Sequence, residues 1–153
     1  MNGVYLRAMS HDELAGALIT FLGEQGHDWD AELIWKTTAI VQEKIARLAE
    51  FPDFAGFLFH DVEPDPAQLD AEILASAAAA LAQVDLWTAD QIEVALKALC
   101  DELNRKPRDL YPPIRVAVTG SRISPGLYES LELLGQEVAL ERIRRGEQIA
   151  SGS

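Results

Sequence analysis

Three histidines and one cysteine are the side chains of this 153-residue chain best suited to act as base, nucleophile or soft metal ligand near neutral pH. They are scattered. His11, His27 and His60 stand far apart, no His-x-x-x-His pattern occurs, and Cys100 has no second cysteine with which to form a Cys-x-x-Cys pair. That spacing makes no metal site. His60 followed by Asp61 could form a base with its orienting carboxylate, yet no evident nucleophile accompanies it, and a polar turn explains the pair as well. His11-Asp12-Glu13 reads as the first turn of a helix, with its acids at the positive end of the dipole. No Gly-x-Gly-x-x-Gly or other Gly-rich phosphate loop is present. We read no active site in the chain.

The more informative chemistry is cationic and lies between Leu110 and Gly135, LYPPIRVAVTGSRISPGLYESLELLG. Charge is spread unevenly along the chain. The net charge is −12, but residues 1–103 hold five basic side chains against nineteen acidic ones, whereas residues 104–145 hold eight basic against five acidic. An acidic body with a locally basic end can bind a folded RNA at that end and repel it elsewhere. The competing explanation is a soluble acidic protein whose Arg142, Arg144 and Arg145 sit at a helix C-terminus to suit its dipole.

The elements that would position these residues read as helix after helix. Ser10 with Glu13 forms a capping box ahead of Leu14, Ala15, Leu18 and Leu22, and that helix ends near Gly23. The longest pattern runs from about Asp30 to Glu50, with Ile34, Val41, Ile45 and Leu48 on one face, closed by Phe51-Pro52. An aromatic cluster, Phe51, Phe54, Phe57 and Phe59, precedes a loop at 60–63. Asp65-Pro66 with Gln68 opens an Ala-rich helix, and Thr88 with Gln91 caps another that carries Ile92, Ala95, Leu96 and Leu99. Pro112 and Pro113 suit the first turn of a short helix, Pro113 to Thr119, that stops at Gly120. Ile114, Val116 and Val118 alternate as a strand would, but proline at the start, glycine at the end and the lack of a partner strand favour helix. Ser124-Pro125 reads as N-cap and first position of a helix through Tyr128, Leu131 and Leu134 that ends at Gly135, with a loop at 121–123 before it.

The expected fold is therefore all-α: two packed helical subdomains at 1–105 and 106–146, followed by a small polar tail at 147–153 expected to fray. A hydrophobic content of 48% suffices for a packed interior. No apolar run approaches the ~20 residues of a membrane span, and no signal-peptide pattern opens the chain, so a cytoplasmic protein is expected. Cys100, alone and inside a helical pattern, suits a reducing compartment and a small buried apolar role.

Taken in order, NGVYLR (2–7), VQEKIARLAEFPDFAGFLF (41–59), Trp87-Thr88 and KPRDLYPPIRVAVTG (106–120), together with the Ser-Pro and Leu-Leu-Gly that follow, resemble the C-terminal anticodon-binding part of bacterial glutamyl-tRNA synthetases, class I aminoacyl-tRNA synthetases. Each piece alone is weak; their shared order with short connections, from Asn2 to about Ile143, is specific. The resemblance implies a recognition module that positions tRNA(Glu) for ATP- and Mg²⁺-dependent glutamylation by a catalytic domain lacking here. The His-Ile-Gly-His and Lys-Met-Ser-Lys-Ser types of signature that hold ATP in that class do not occur in this sequence. No cofactor is implied for the chain itself, and a monomer is.

By the same resemblance Arg115 contacts the anticodon, while Ser124, Pro125 and Leu127 pack on and hydrogen-bond its splayed bases. Unstacked loop bases need a planar cation, apolar faces and short polar groups, and these four residues supply that set. Ser124 as a plain N-cap and Leu127 as ordinary core are the competing assignments. The third anticodon base is read in the family from the long helix, commonly by arginine, and that position corresponds to Lys44. Lysine lacks the bidentate fork, which leaves open acceptance of tRNA(Gln) beside tRNA(Glu). Arg47, one turn on, could share the role: at about 100° per residue Lys36, Lys44 and Arg47 span about 80° of a helix. A solvated edge of the core face explains that row as well. The alternative function is a helical protein-interaction module docking through Trp29, Trp35 and Trp87 without RNA.

Overall fold

The computed structural model describes residues 8–121 and 124–152. Asn2 to Arg7 of the resembling pattern, and residues 122–123 of the expected loop, lie outside the described residues. All regular elements among the described residues are helical, eight α-helices and three 3₁₀ turns. The all-α expectation holds. No helix among them is long and apolar enough to cross a membrane. The chain parts into two compact units, Met1–His60 and Asp61–Ser153. The boundary expected after Arg105 instead falls inside the second unit, because helices on both sides of that position contribute to one core.

In the first unit the capping box forms as read: Glu13 N donates to Ser10 Oγ and Ser10 N to Glu13 Oε1, each at 3.1 Å. It opens α1 (His11–Glu24), which buries Leu14, Leu18 and Leu22 against α2 (Ala31–Val41). α2 is the first correction. The helix expected to reach Glu50 stops at Val41, where Lys44 N and Ile45 N both donate to the Val41 carbonyl at 2.8 and 3.1 Å. Five of the last eight residues of α2 are β-branched (Ile34, Thr37, Thr38, Ile40 and Val41), which disfavours continuation. Thr37 and Thr38 turn their hydroxyls back onto Leu33 O and Ile34 O at 2.7 Å, so these buried groups are satisfied. A turn follows, held by Gln42 Nε2 donating to Met9 O (2.8 Å) and Ala46 N to Glu50 Oε2 (2.8 Å). It returns Ile45 fully, and Leu48 partly, to the same core. Helical spacing and a turn therefore bury the same two residues. A 3₁₀ turn at Leu48–Glu50, α3 (Phe51–Ala55) and a second 3₁₀ turn at Gly56–Leu58 finish the unit. Trp29 is stacked between His27 and Phe59, with ring centroids 4.2 and 4.4 Å away.

In the second unit Asp65 caps only a 3₁₀ turn, Pro66–Gln68. Leu69 and Asp70 are extended, and Asp70 is the cap of α4 (Ala71–Ala82), accepting from Ile73 N at 3.1 Å. Thr88 caps α5 (Ala89–Leu103) as expected, accepting from Gln91 N at 3.2 Å. α6 (Pro107–Thr119) begins six residues before the expected start and ends at Gly120, whose φ of 75° requires glycine's freedom. Pro112 and Pro113 thus lie within α6, and the carbonyls of Arg108 and Asp109 lose their ladder donors. Pro107 takes the first-turn place that sequence reading gave to the later pair. α7 (Leu127–Leu134) and α8 (Gln136–Ala150) complete the unit. α8 packs along α4, whose Ala77 and Ala78 are buried and let it come close. The tail expected at 147–153 is helical as far as Ala150. Gly146 is buried, and a Cβ there would lie 3.0 Å from Ala117 Cβ and 3.1 Å from Leu74 Cδ1.

Candidate functional site

α6 carries the arginine singled out by the sequence. Leu110, Ile114, Ala117 and Val118 recur at helical spacing and face the core, which leaves Arg115 on the flank of the buried stripe, half exposed. Its Nη1 donates to Pro125 O at 2.8 Å and to the Ser124 hydroxyl. The structure thus brings Arg115, Ser124 and Pro125 together across the connection between α6 and α7. Burial alone pulls the guanidinium below its ordinary value, and it remains a cation at neutral pH. Nη1 makes every hydrogen bond found for this side chain, so Nε and Nη2 are not engaged by any described residue.

Ser124 is not the helix cap. α7 starts three residues later with Gly126 as its N-cap residue and no side-chain cap, because the Ser124 hydroxyl is spent on Arg115 and on Pro125 O, to which it donates at 3.0 Å. Pro125 is buried, and Leu127, 4% exposed, belongs to the core cluster. The apolar platform expected from Pro125 and Leu127 therefore faces inward, and core packing is the assignment that holds for Leu127.

The turn is braced by groups that sequence reading passed over. The Thr119 hydroxyl lies 2.8 Å from Arg115 O and 2.9 Å from Ser121 O, and accepts from Ser121 N at 3.2 Å. Ser130, fully buried on α7, donates to Pro125 O at 3.3 Å. Tyr111 and Tyr128 link α6 to α7 through hydroxyls 2.9 Å apart, and burial pushes Tyr111 well above its ordinary value. Arg142, read as serving its own helix end, instead donates from α8 to Val118 O at 2.7 Å, satisfying one of the last carbonyls of α6. Its spacing from Ala139, Ile143 and Gly146 placed it on the buried face and was the available clue. Arg145 pairs bidentately with Asp61, at 3.0 and 2.9 Å, and also reaches Val62 O at 3.1 Å. The hydrogen bond from Arg145 pulls the exposed Asp61 carboxyl from its ordinary 3.8 to about 2.

Lys44 and Arg47 lie in the first unit and share no helix face. Lys44 sits in the turn after α2, and Arg47 is extended (φ −138°, ψ 152°) ahead of the 3₁₀ turn. The 80° arc required an uninterrupted helix to Glu50. Both side chains are exposed, and no carboxylate among the described residues forms an ion pair with either.

Residues 13–147 match the family model described as the anticodon binding domain. The chain belongs to that family. It is 41% identical to the glutamate–tRNA ligase of Rhodococcus jostii (strain RHA1), over 94% of this chain and 32% of that protein. It is 39% identical to the glutamate–tRNA ligase of Acidothermus cellulolyticus, over 98% of this chain and 33% of that protein. The chain thus spans about a third of the length of the curated relatives it matches. A glutamate tRNA ligase from Elizabethkingia meningosepticum, solved in complex with its amino acid, has the same fold with a TM-score of 0.82 at 19% identity. That match covers 96% of this chain and 31% of the other.

Proposed function

We propose that the chain is the anticodon-recognition module of a glutamate–tRNA ligase and that it positions tRNA(Glu) for glutamylation by a catalytic domain outside this sequence. The observation that carries the reading is Arg115: a half-buried guanidinium fixed through one nitrogen, with Nε and Nη2 engaged by no described residue. A planar cation held in this way can stack on an unstacked base and hydrogen-bond its edge, as recognition of single-stranded RNA loops requires. Ser124 orients that group. Pro125 and Leu127 support it from the core side rather than offering a face to the bases. Lys44 and Arg47 are exposed cations of the first unit that contact the third base or its flanking phosphates, and the absence of a fork at Lys44 relaxes discrimination there enough to admit tRNA(Gln). The module works as a monomer in the cytoplasm, and ATP and Mg²⁺ belong to the catalytic domain.

The protein-docking alternative loses two of its three anchors. Trp29 is stacked in its unit's aromatic cluster, and Trp87 packs on the core with Nε1 donating to Leu131 O at 2.8 Å. Fluorescence anisotropy against a tRNA(Glu) transcript and an anticodon-scrambled twin, at two salt concentrations, tests the reading. The expected result is tighter binding of the native anticodon, weakening with salt and lost in a folded Arg115→Ala. Equal, salt-indifferent behaviour toward both transcripts would refute it.

A further inference from the structure

Ser130 occupies a core position on α7, 0% exposed and flanked by Leu127 and Leu131, where the helical pattern calls for an apolar side chain. A buried hydroxyl is costly unless it is hydrogen-bonded, and the partner of this one is Pro125 O at 3.3 Å. The same oxygen accepts from Arg115 Nη1 at 2.8 Å and from Ser124 Oγ at 3.0 Å. No other described residue donates a hydrogen bond to it. The peptide plane it belongs to joins Pro125 to Gly126, a residue with no Cβ, and α7 has no side-chain cap that would fix that plane. Ser130 therefore grips the carbonyl from inside the core, while Arg115 meets it from the half-exposed side.

We propose that Ser130 is a positioning residue for Arg115, acting through the Pro125 carbonyl to hold the guanidinium in its ligand-ready orientation. The consequence for ligand choice rests on the anticodon-recognition reading; the consequence for the Arg115 side chain does not. With the Ser130 hydroxyl removed, the Pro125 carbonyl keeps only its bonds from Arg115 and Ser124, its direction is less tightly held from the core side, and the gain from correctly placed donors is partly spent on ordering the Arg115 side chain.

The experiment pairs two readouts on the full 153-residue chain carrying Ser130→Ala. One is the order parameter of the Arg115 Nε–H group by NMR without RNA. The other is the ratio of affinities for the tRNA(Glu) transcript and its anticodon-scrambled twin. The expected result is native helicity, a more mobile Arg115, and a preference ratio reduced about threefold, of the order of one hydrogen bond, with binding of the scrambled transcript unchanged. An unchanged Arg115 order parameter overturns the proposal, as does a proportional loss of affinity for both transcripts, which is what a merely structural role would produce. If wild type shows no anticodon preference, the recognition reading fails and the RNA-free NMR comparison alone decides the positioning role. Should Ser130→Ala not fold, Ser130→Cys, close in size and a weaker donor, carries the same comparison.

Discussion

Alanine in place of glycine should change stability in opposite directions in the two units. Gly16 lies within α1, exposed, with nothing within 4 Å of an added Cβ. Gly146 lies within α8 and is buried. Replacing glycine by alanine inside a helix gains about 1 kcal/mol in each case, mainly by restricting the unfolded chain. At Gly146 the gain is opposed, since the new methyl would stand 3.0 Å from Ala117 Cβ and 3.1 Å from Leu74 Cδ1. Comfortable carbon contacts lie at roughly 3.5–4.0 Å. The Leu74 methyl can swing aside, but Ala117 Cβ is fixed to the backbone of α6, so α8 must move outward. Overpacking of this kind costs about 1–3 kcal/mol. Gly16→Ala should therefore stabilise its unit by about 1 kcal/mol, and Gly146→Ala should destabilise its own by a similar amount. For units of this size that is about 4–8 °C in each direction. Thermal melts followed by circular dichroism and by tryptophan emission report both units, Trp29 and Trp35 lying in the first and Trp87 in the second. A Gly146→Ala protein stabilised as much as Gly16→Ala would refute the claim that α8 is packed to the limit of glycine.

Asp61 gives a pH signature. Its carboxyl is lower in the folded protein, about 2 against an ordinary 3.8, so its contribution is complete above the unfolded value and fades as pH falls from about 4 through 2. The gap in urea midpoint between wild type and Asp61→Asn should be constant at pH 5 to 7, shrink as pH falls below about 4 and vanish only as pH falls through about 2; a gap independent of pH would rule out the pairing with Arg145. Lys44→Arg should sharpen discrimination at the third anticodon base by about tenfold or less, since one bidentate contact is involved, and an unchanged base preference in anisotropy would remove Lys44 from the interface. Cys100, 6% exposed with its thiol pushed up by burial, should react with a thiol reagent only as fast as the second unit opens. Rapid labelling in native buffer would contradict that burial.

Much of the fold was legible because several helix starts are written in short polar codes. Ser10 with Glu13 and Thr88 with Gln91 form the bonds their spacing announces. Two of the failures share one cause: a local code was taken without the tertiary contact that competes for it. Ser124-Pro125 has the form of a cap, but the hydroxyl is claimed by Arg115. Pro112-Pro113 has the form of a helix start, yet buried Leu110 and the Tyr111–Tyr128 contact hold a helical turn ahead of it. Ile45 and Leu48 continue a helical period that a turn satisfies equally, and with the helix went the common face of Lys44 and Arg47. At the candidate site the arginine was visible by type and place. Its braces, Thr119 and Ser130, look like ordinary small polar residues until the fold places carbonyls beside them.

The two prolines inside α6 divide that helix thermodynamically. With no amide hydrogen at positions 112 and 113, two consecutive rungs of the ladder are missing between the turn that begins at Pro107 and the turn that carries Arg115. The early turn is held to the rest of the unit mainly by side chains such as Leu110 and Tyr111, so it can open and reclose without unzipping the bonds behind it. In hydrogen exchange α6 should behave as two segments, with amides before the prolines exchanging through small local openings and those from Ile114 onward only when a larger piece of the unit unfolds. Arg115 is thereby insulated from fraying at the exposed first turn of its own helix.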